Sequence, residues 1–335
     1  MKIAIHHRQG SFSDRWIDYC KEKGIDYKIV NAYDTDIVNQ VKDCNAFMWH
    51  HHHANSKDVL FAKQLIYSLE TAGLKCFPDY KTTWHFDDKV GQKYLLEATG
   101  APLVPSYVFY SKKDALDWVA QTKFPKVFKL RGGAGSKNVL LAHNRKEAKK
   151  LVKKAFGKGF PQTSIGNLIS EDKRKLKERK ISLYQAIKDI IAYYLKPDTF
   201  HKSHNNERGY AYFQDFIENN NYDIRIVVVG NKAFYLKRMV RKGDFRASGS
   251  GNIIYEKDVH TEDCVRIAFE IEKNIGSQCT AYDFVFRNGE PLIVEISYGF
   301  AMHGYDNCEG YYTEDMLFHS EQFNPQYWMV ENLIK

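Results

Sequence analysis

In the stretch AYDFVFRNGEPLIVEIS, Ala281 to Ser297, two acidic side chains flank a hairpin signal, Asn288-Gly289. With a three-residue loop, Asn288 to Glu290, Asp283 falls opposite Glu295 and Ala281 opposite Ser297. Asp283, Val285, Ile293, Glu295 and Ser297 then share one face, and Phe284, Phe286, Leu292, Val294 and Ile296 make an apolar one. Two carboxylates so placed, with Cβ atoms about 5 Å apart, repel unless a cation or a proton lies between them. A metal ion resolves the repulsion, and oxygen-only ligands select magnesium or manganese over zinc. A two-residue Asn-Gly loop would instead put Asp283 and Glu295 on opposite faces, as unrelated surface charges.

A second stretch with chemistry in it is FPKVFKLRGGAGSKNVLLA, Phe124 to Ala142, where three glycines sit between two strand-forming segments. It matches neither GxxxxGK[ST] nor GxGxxG, both of which run from a strand into a helix. It reads as a strand-loop-strand hairpin. Such a loop can lay backbone N–H groups over phosphate oxygens, because residues without a Cβ allow close approach. Lys129, at the end of the incoming strand, would meet the same phosphates as a point charge. The plain alternative is a surface hairpin with turn glycines.

The elements that carry these stretches are legible in outline. KIAIHH, DYKIVNA and NAFMWHH read as strands that alternate with helices over DRWIDYCKEKG and SKDVLFAKQLIYSLETAG, a pattern that implies a parallel sheet covered by helices. From Asp87, DDKVGQKYLLEATG is a helix ended by Gly100, followed by a strand after Pro105, a helix over KDALDWVAQ, the glycine hairpin and a helix over RKEAKKLVKKAF. Residues 157–208 are least legible; EDKRKLKERKISLYQAIKDIIAYYL has helical spacing and a basic start that reads as a solvated face. From Tyr210 the pattern is strand-rich again. His50 to His53 end a strand with no carboxylate or cysteine nearby to complete a ligand set, so a surface or cleft-edge role is expected.

Composition bounds the rest. The 335 residues are 44% hydrophobic and 27% charged, enough for two or three lobes of ordinary size. No apolar run reaches membrane-spanning length and MKIAIHH is too short for a signal peptide, so no membrane partner and a cytoplasmic home are expected. The six cysteines are widely spaced without a CxxC pair and read as reduced core residues. A net charge of +8 suits an anionic ligand.

Lys129 with its glycine hairpin, QDFIENNNYDIRIVVVG, KRMVRKGDFRASGSG and the DF…EIS hairpin together resemble the ATP-grasp superfamily. The branch they are most similar to holds glutathione synthetase, D-alanine:D-alanine ligase and the ribosomal-protein glutamate ligases. The resemblance covers about Asp87 to Gly304. It implies an α/β chain of α+β lobes: a Rossmann-like pre-ATP-grasp domain over 1–85, a small lid lobe with a connecting segment and a helical insertion over 86–213, and a large lobe with the metal site over 214–335. In that family ATP lies between two lobes, and its γ-phosphate passes to a carboxylate to give an acyl phosphate that an amine or thiol attacks. The resemblance implies Lys89 and Lys129 near the phosphates and Gly132, Gly133, Gly135 and Ser136 in the lid loop. It also implies Gln214, Asp215, Phe216 and Ile217 on the adenine edge, Asp223 on the ribose, and Arg238 and Arg246 facing the triphosphate and the acyl phosphate. Asp283, Glu295 and Ser297 match the metal positions, for Mg2+ or Mn2+. The family's Asn two residues after the metal-binding Glu is here Ser297, a weaker ligand, and the loop YGFAMHGYDN departs from the family's small-residue loop.

These expectations describe an ATP-dependent carboxylate-amine or carboxylate-thiol ligase acting on an acidic small molecule or peptide, with a homodimer as the default oligomer. A nucleotide-binding regulator or scaffold that has lost turnover is the alternative, motivated by Ser297. A nucleic-acid binder using residues 171–180 ranks last, because Glu171, Asp172 and Glu178 interrupt the basic run and no aromatics interleave.

Overall fold

A computed structural model describes residues 1–133, 138–161, 176, 181–195, 206–241 and 251–335. In chain order the strands are β1 (Lys2–His6), β2 (Asp26–Val30), β3 (Ala46–Trp49), β4 (Lys75–Phe77), β5 (Ser106–Phe109), β6 (Lys126–Lys129), β7 (Val139–Ala142) and β8 (Ala211–Asp215). They continue with β9 (Tyr222–Val229), β10 (Lys232–Met239), β11 (Ile253–Ile254), β12 (Cys279–Arg287), β13 (Glu290–Ser297), β14 (Tyr311–Thr313) and β15 (Phe318–His319). The chain divides into two compact units, one of residues 1–52, 57–104 and 217–335, the other of 53–56 and 105–216.

The first unit holds two sheets. The expected parallel sheet is present in the order β2-β1-β3-β4, with helices Phe12–Lys23 and Ser56–Thr71 between its strands. Ser11 caps the first helix through the Ser13 N–H, and Gly24 ends it in the left-handed region at φ 65°. A second sheet of seven strands runs β13-β12-β9-β10-β14-β15, with β11 added beside β10. Alternate residues of β9 part company across this sheet. Ile224, Ile226 and Val228 pack with Cys264, Val265 and Ala268 of the helix Thr261–Ile275. Val227 and Val229 pack on the other face with Ile3, Ile5, Trp16 and Phe77, so the parallel sheet and the large sheet share one core. The cysteines are all buried and unpaired.

The second unit is an antiparallel sheet in the order β5-β8-β6-β7, packed against helices Lys112–Gln121 and Arg145–Ala155 through Phe128, Phe213, Val119 and Val152. The glycine hairpin is therefore a strand pair, β6 with β7, in the register Lys129↔Val139. A helix at Leu183–Leu195 matches the second half of the expected helical stretch. Its basic start at 171–180, together with Gly135, Ser136 and Arg246, falls outside the described residues apart from Leu176. No helix among the described residues is long and apolar enough to cross a membrane.

Candidate functional site

Sheet register gathers the first unit's candidate residues. Cross-strand partners project to the same face, and here Asp223 pairs with Arg238, Arg225 with Asp283, and Asp283 with Glu295. Asp223 and Arg225 lie on the Val227 and Val229 face of β9, so one side of the sheet is apolar at one end and charged at the other.

The hairpin that sets Asp283 against Glu295 differs from both sequence expectations. The loop is two residues, not three: Arg287 pairs with Glu290, and Asn288 and Gly289 take φ of 55° and 84°, as a type I′ turn requires. That loop alone would have separated the two carboxylates. A bulge restores them: Phe284 pairs with Ile293 while Asp283 pairs with Glu295, leaving Val294 as the extra residue. The bulge also moves Ile293 off the carboxylate face, where it was expected, and into the apolar cluster with Phe284 and Ile296.

The charges are met within the chain. The Arg225 guanidinium grips Asp283 with two contacts, Nε to Oδ1 at 2.5 Å and a terminal nitrogen to Oδ2 at 2.7 Å. Arg238 binds Asp223 with two contacts of 2.7 Å and reaches Asp283 Oδ2 at 2.9 Å. Lys89, the first residue of the helix Lys89–Ala98 and only 4% exposed, places Nζ 3.1 Å from Glu295 Oε1. Three carboxylates thus face three cations. Burial pushes the Asp283 carboxyl up, but Arg225 and then Arg238 outweigh it and hold the group well below the ordinary carboxylate range. Burial likewise disfavours the Arg225 charge, and Asp283 restores it.

Two carboxylates and the Ser297 hydroxyl form an all-oxygen donor set, the type a hard divalent cation takes. Glu295, with Lys89 as its ion-pair partner, fits such an ion. Asp283 fits less fully, because guanidinium N–H groups take three of its roughly four lone-pair positions. Ser297 donates to the Gly299 carbonyl at 2.9 Å and accepts the Gly299 N–H. Among the described residues no group of three or more His, Cys, Asp or Glu is placed to hold a metal.

The second unit carries the other candidates. Lys129, 4% exposed, ends β6 between Val139 of β7 and Tyr212 of β8. Gly133 has φ 115°, a conformation that favours glycine, and Gly132 donates its N–H to Glu207. On β8, the buried Gln214 donates to Ser106 Oγ at 3.0 Å, and Asp215 accepts from Lys126 Nζ at 2.5 Å. Phe216 follows in the same unit, whereas Ile217 begins the last segment of the first.

Lys126 and Glu207 were missed in the sequence, although Lys126 stands three residues before Lys129. Its Nζ also lies over the rings of Tyr107 and Trp118, at 5.3 and 5.8 Å. The histidine run is packed rather than displayed. His50 stacks on Phe12 at 3.7 Å, and Tyr298 donates to the His51 carbonyl at 2.5 Å.

Residues 199–311 match the family described as the RimK-like ATP-grasp domain. Comparison with curated proteins gives no match. Among solved structures, the RimK-domain ATP-grasp protein of Sphaerobacter thermophilus aligns at TM-score 0.58 and 13% identity, over 100% of this chain and 99% of that one. The D-alanine--D-alanine ligase of Bacillus anthracis aligns at TM-score 0.51 and 14% identity, over 89% and 86%. The biotin carboxylase domain of Hydrogenobacter thermophilus 2-oxoglutarate carboxylase, in complex with MgADP, aligns at TM-score 0.60 and 14% identity, over 99% and 69%. These likenesses give the chain the ATP-grasp fold.

Proposed function

We propose that the protein is an ATP-dependent carboxylate-amine or carboxylate-thiol ligase that works through an acyl phosphate. The observation that carries this reading is the facing pair Asp283 and Glu295 within a cluster of Lys89, Arg225 and Arg238, in a chain of ATP-grasp fold. The solved neighbours include a D-alanine--D-alanine ligase and a carboxylase domain holding MgADP.

In this reading Lys129 and Lys89 neutralise the nucleotide phosphates, Gly132, Gly133, Gly135 and Ser136 cover them, and Gln214 to Ile217 hold the adenine with Asp223 on the ribose. A carboxylate oxygen of the substrate forms a bond to the γ-phosphorus as the bond to the bridging β-phosphate oxygen breaks, and ADP leaves. The amine or thiol then attacks the acyl carbon, phosphate departs, and the nucleophile gives up a proton. Phosphoryl transfer of this kind is positioning and charge neutralisation, and it asks for no protein nucleophile. Arg238 and Arg246 face the charge that develops on the transferred group. A magnesium ion, held by Glu295 with Asp283, would supply further neutralisation of the phosphates when bound.

An acidic substrate suits the chain's net charge of +8. A second reading, a nucleotide-binding protein without turnover, draws on the guanidinium hold on Asp283 and on Ser297 where the family has Asn. A screen of carboxylic acids with amines and thiols for ADP and phosphate release separates the two. Acid-dependent ADP release supports the ligase; nucleotide binding with no release from any combination supports the second reading.

A further inference from the structure

Two consecutive backbone N–H groups at the start of the glycine hairpin are directed at one side chain. Arg131 N–H and Gly132 N–H donate to Glu207, to Oε2 at 3.2 Å and Oε1 at 3.3 Å. Tyr210 completes the group: its hydroxyl donates to Glu207 Oε2 and accepts the Arg131 N–H at 2.6 Å. Successive amides that converge in this way form an anion-binding concavity. Here the anion is the protein's own carboxylate, only 8% exposed.

Glu207 is itself held from behind. It forms an isolated antiparallel bridge with Phe160, N–H to carbonyl at 2.9 and 2.8 Å, which closes the mouth of the insertion between them. The closure needs Gly159 beside it. That residue has φ +72°, and a Cβ there would stand 2.6 Å from the Glu207 carbonyl oxygen. The backbone of Glu207 is thus fixed, and its side chain ties the first amides of the hairpin to that point.

We propose that Glu207 is a positioning residue for nucleotide binding: its carboxylate holds the Arg131 and Gly132 backbone in place before the nucleotide arrives, so that this stretch of the hairpin need not be ordered on binding. The inference rests on the ligase reading, in which the hairpin covers a nucleotide. Without Glu207 the Arg131 and Gly132 backbone must be ordered on binding. Fixing the backbone of two more residues weakens nucleotide binding by about thirtyfold.

The test compares the full chain with Glu207→Ala and Glu207→Gln by titration with Mg·ATP and by hydrogen exchange at the Arg131 and Gly132 amides. Thermal melting confirms that each variant is folded. Expected are loss of protection at both amides and about thirtyfold weaker ATP binding in Glu207→Ala, with an intermediate effect in Glu207→Gln, which retains one acceptor oxygen. In turnover assays KM for ATP should rise more than kcat falls. ATP binding within twofold of the parent in a folded Glu207→Ala protein overturns the inference and leaves the ligase reading intact. If the parent itself binds no ATP, the ligase reading fails and the inference falls with it.

Discussion

Replacing Asp283 by Asn removes one negative charge from a buried cluster and leaves two guanidinium groups to share Asp223. Arg238 keeps its two contacts with Asp223, but Arg225 keeps at most the one contact that a carboxamide oxygen can accept and loses the charge opposite it. Breaking a buried ion pair from one side costs about 3–5 kcal/mol, because the surviving charge stays desolvated. For a folding unit of about two hundred residues this corresponds to a fall in melting temperature of roughly 10 °C. Among the described residues Glu295→Gln breaks the pair with Lys89, in which the Glu295 side chain is 29% exposed, and should cost about 1 kcal/mol. Melting by circular dichroism at pH 7.5, with parent and both variants side by side, checks the contrast. Adding Arg225→Gln to Asp283→Asn should recover part of the loss, since no unpaired guanidinium then remains at that position. A fall below 2 °C for Asp283→Asn, or equal falls for the two single variants, would refute the reasoning. The same argument makes Glu295→Gln the cleaner probe of chemistry, because lost turnover in Asp283→Asn is confounded by lost stability.

Four further outcomes are expected. Glu295→Gln should abolish magnesium-dependent turnover in a folded protein, measured as ADP release; unchanged activity removes Glu295 from the site. Lys129→Ala should weaken ATP binding about tenfold or more, read by calorimetry, and equal affinity would count against its phosphate role. His85 is fully buried, neither ring nitrogen has a hydrogen-bond partner among the described residues, and burial pushes its pKa down to about 3. The unfolded chain then binds a proton that the native state does not, so stability is complete above about pH 6.5 and falls by about 4 kcal/mol as pH drops toward 3. His85→Phe should flatten that arm of the urea-midpoint profile, and an unchanged slope would sink the assignment. Glu272 accepts from Tyr282 at 2.6 Å and from Ser277, and burial pushes its carboxyl up. Its native state keeps the proton to higher pH, so stability declines as pH rises through that raised value; Glu272→Gln should melt higher than the parent at pH 8 and converge with it near pH 4.

Much of this arrangement was legible in the residues themselves. The alternation of short apolar strands with capped helices predicts the parallel sheet, and the run NVLLA after the glycines predicts a hairpin rather than a phosphate-binding helix start. The facing of Asp283 and Glu295 follows from the three-residue loop, yet the protein reaches it through a two-residue turn and a bulge at Val294. Nothing local marks that bulge, because it is the packing of Phe284 and Ile293 into the core that selects it. The cation between the carboxylates was read as a metal. The structure also pairs Asp283 with Arg225 and Arg238 and Glu295 with Lys89, and only strand order brings Arg225 beside Asp283 across 58 residues of chain. Alternation along YDIRIVVV does place Asp223 and Arg225 on one face, a signal present in the sequence. Glu207 left no such signal, since its role depends on the closure of the insertion at Phe160.

The measurement closest to the central claim is a trap for the activated acid. With Mg·ATP, hydroxylamine and a panel of carboxylic acids, the account predicts that the substrate acid yields its hydroxamate in step with ADP, and that Glu295→Gln yields neither. ADP formed at the same rate with and without any acid, and no hydroxamate from the full panel despite tight ATP binding, would contradict it.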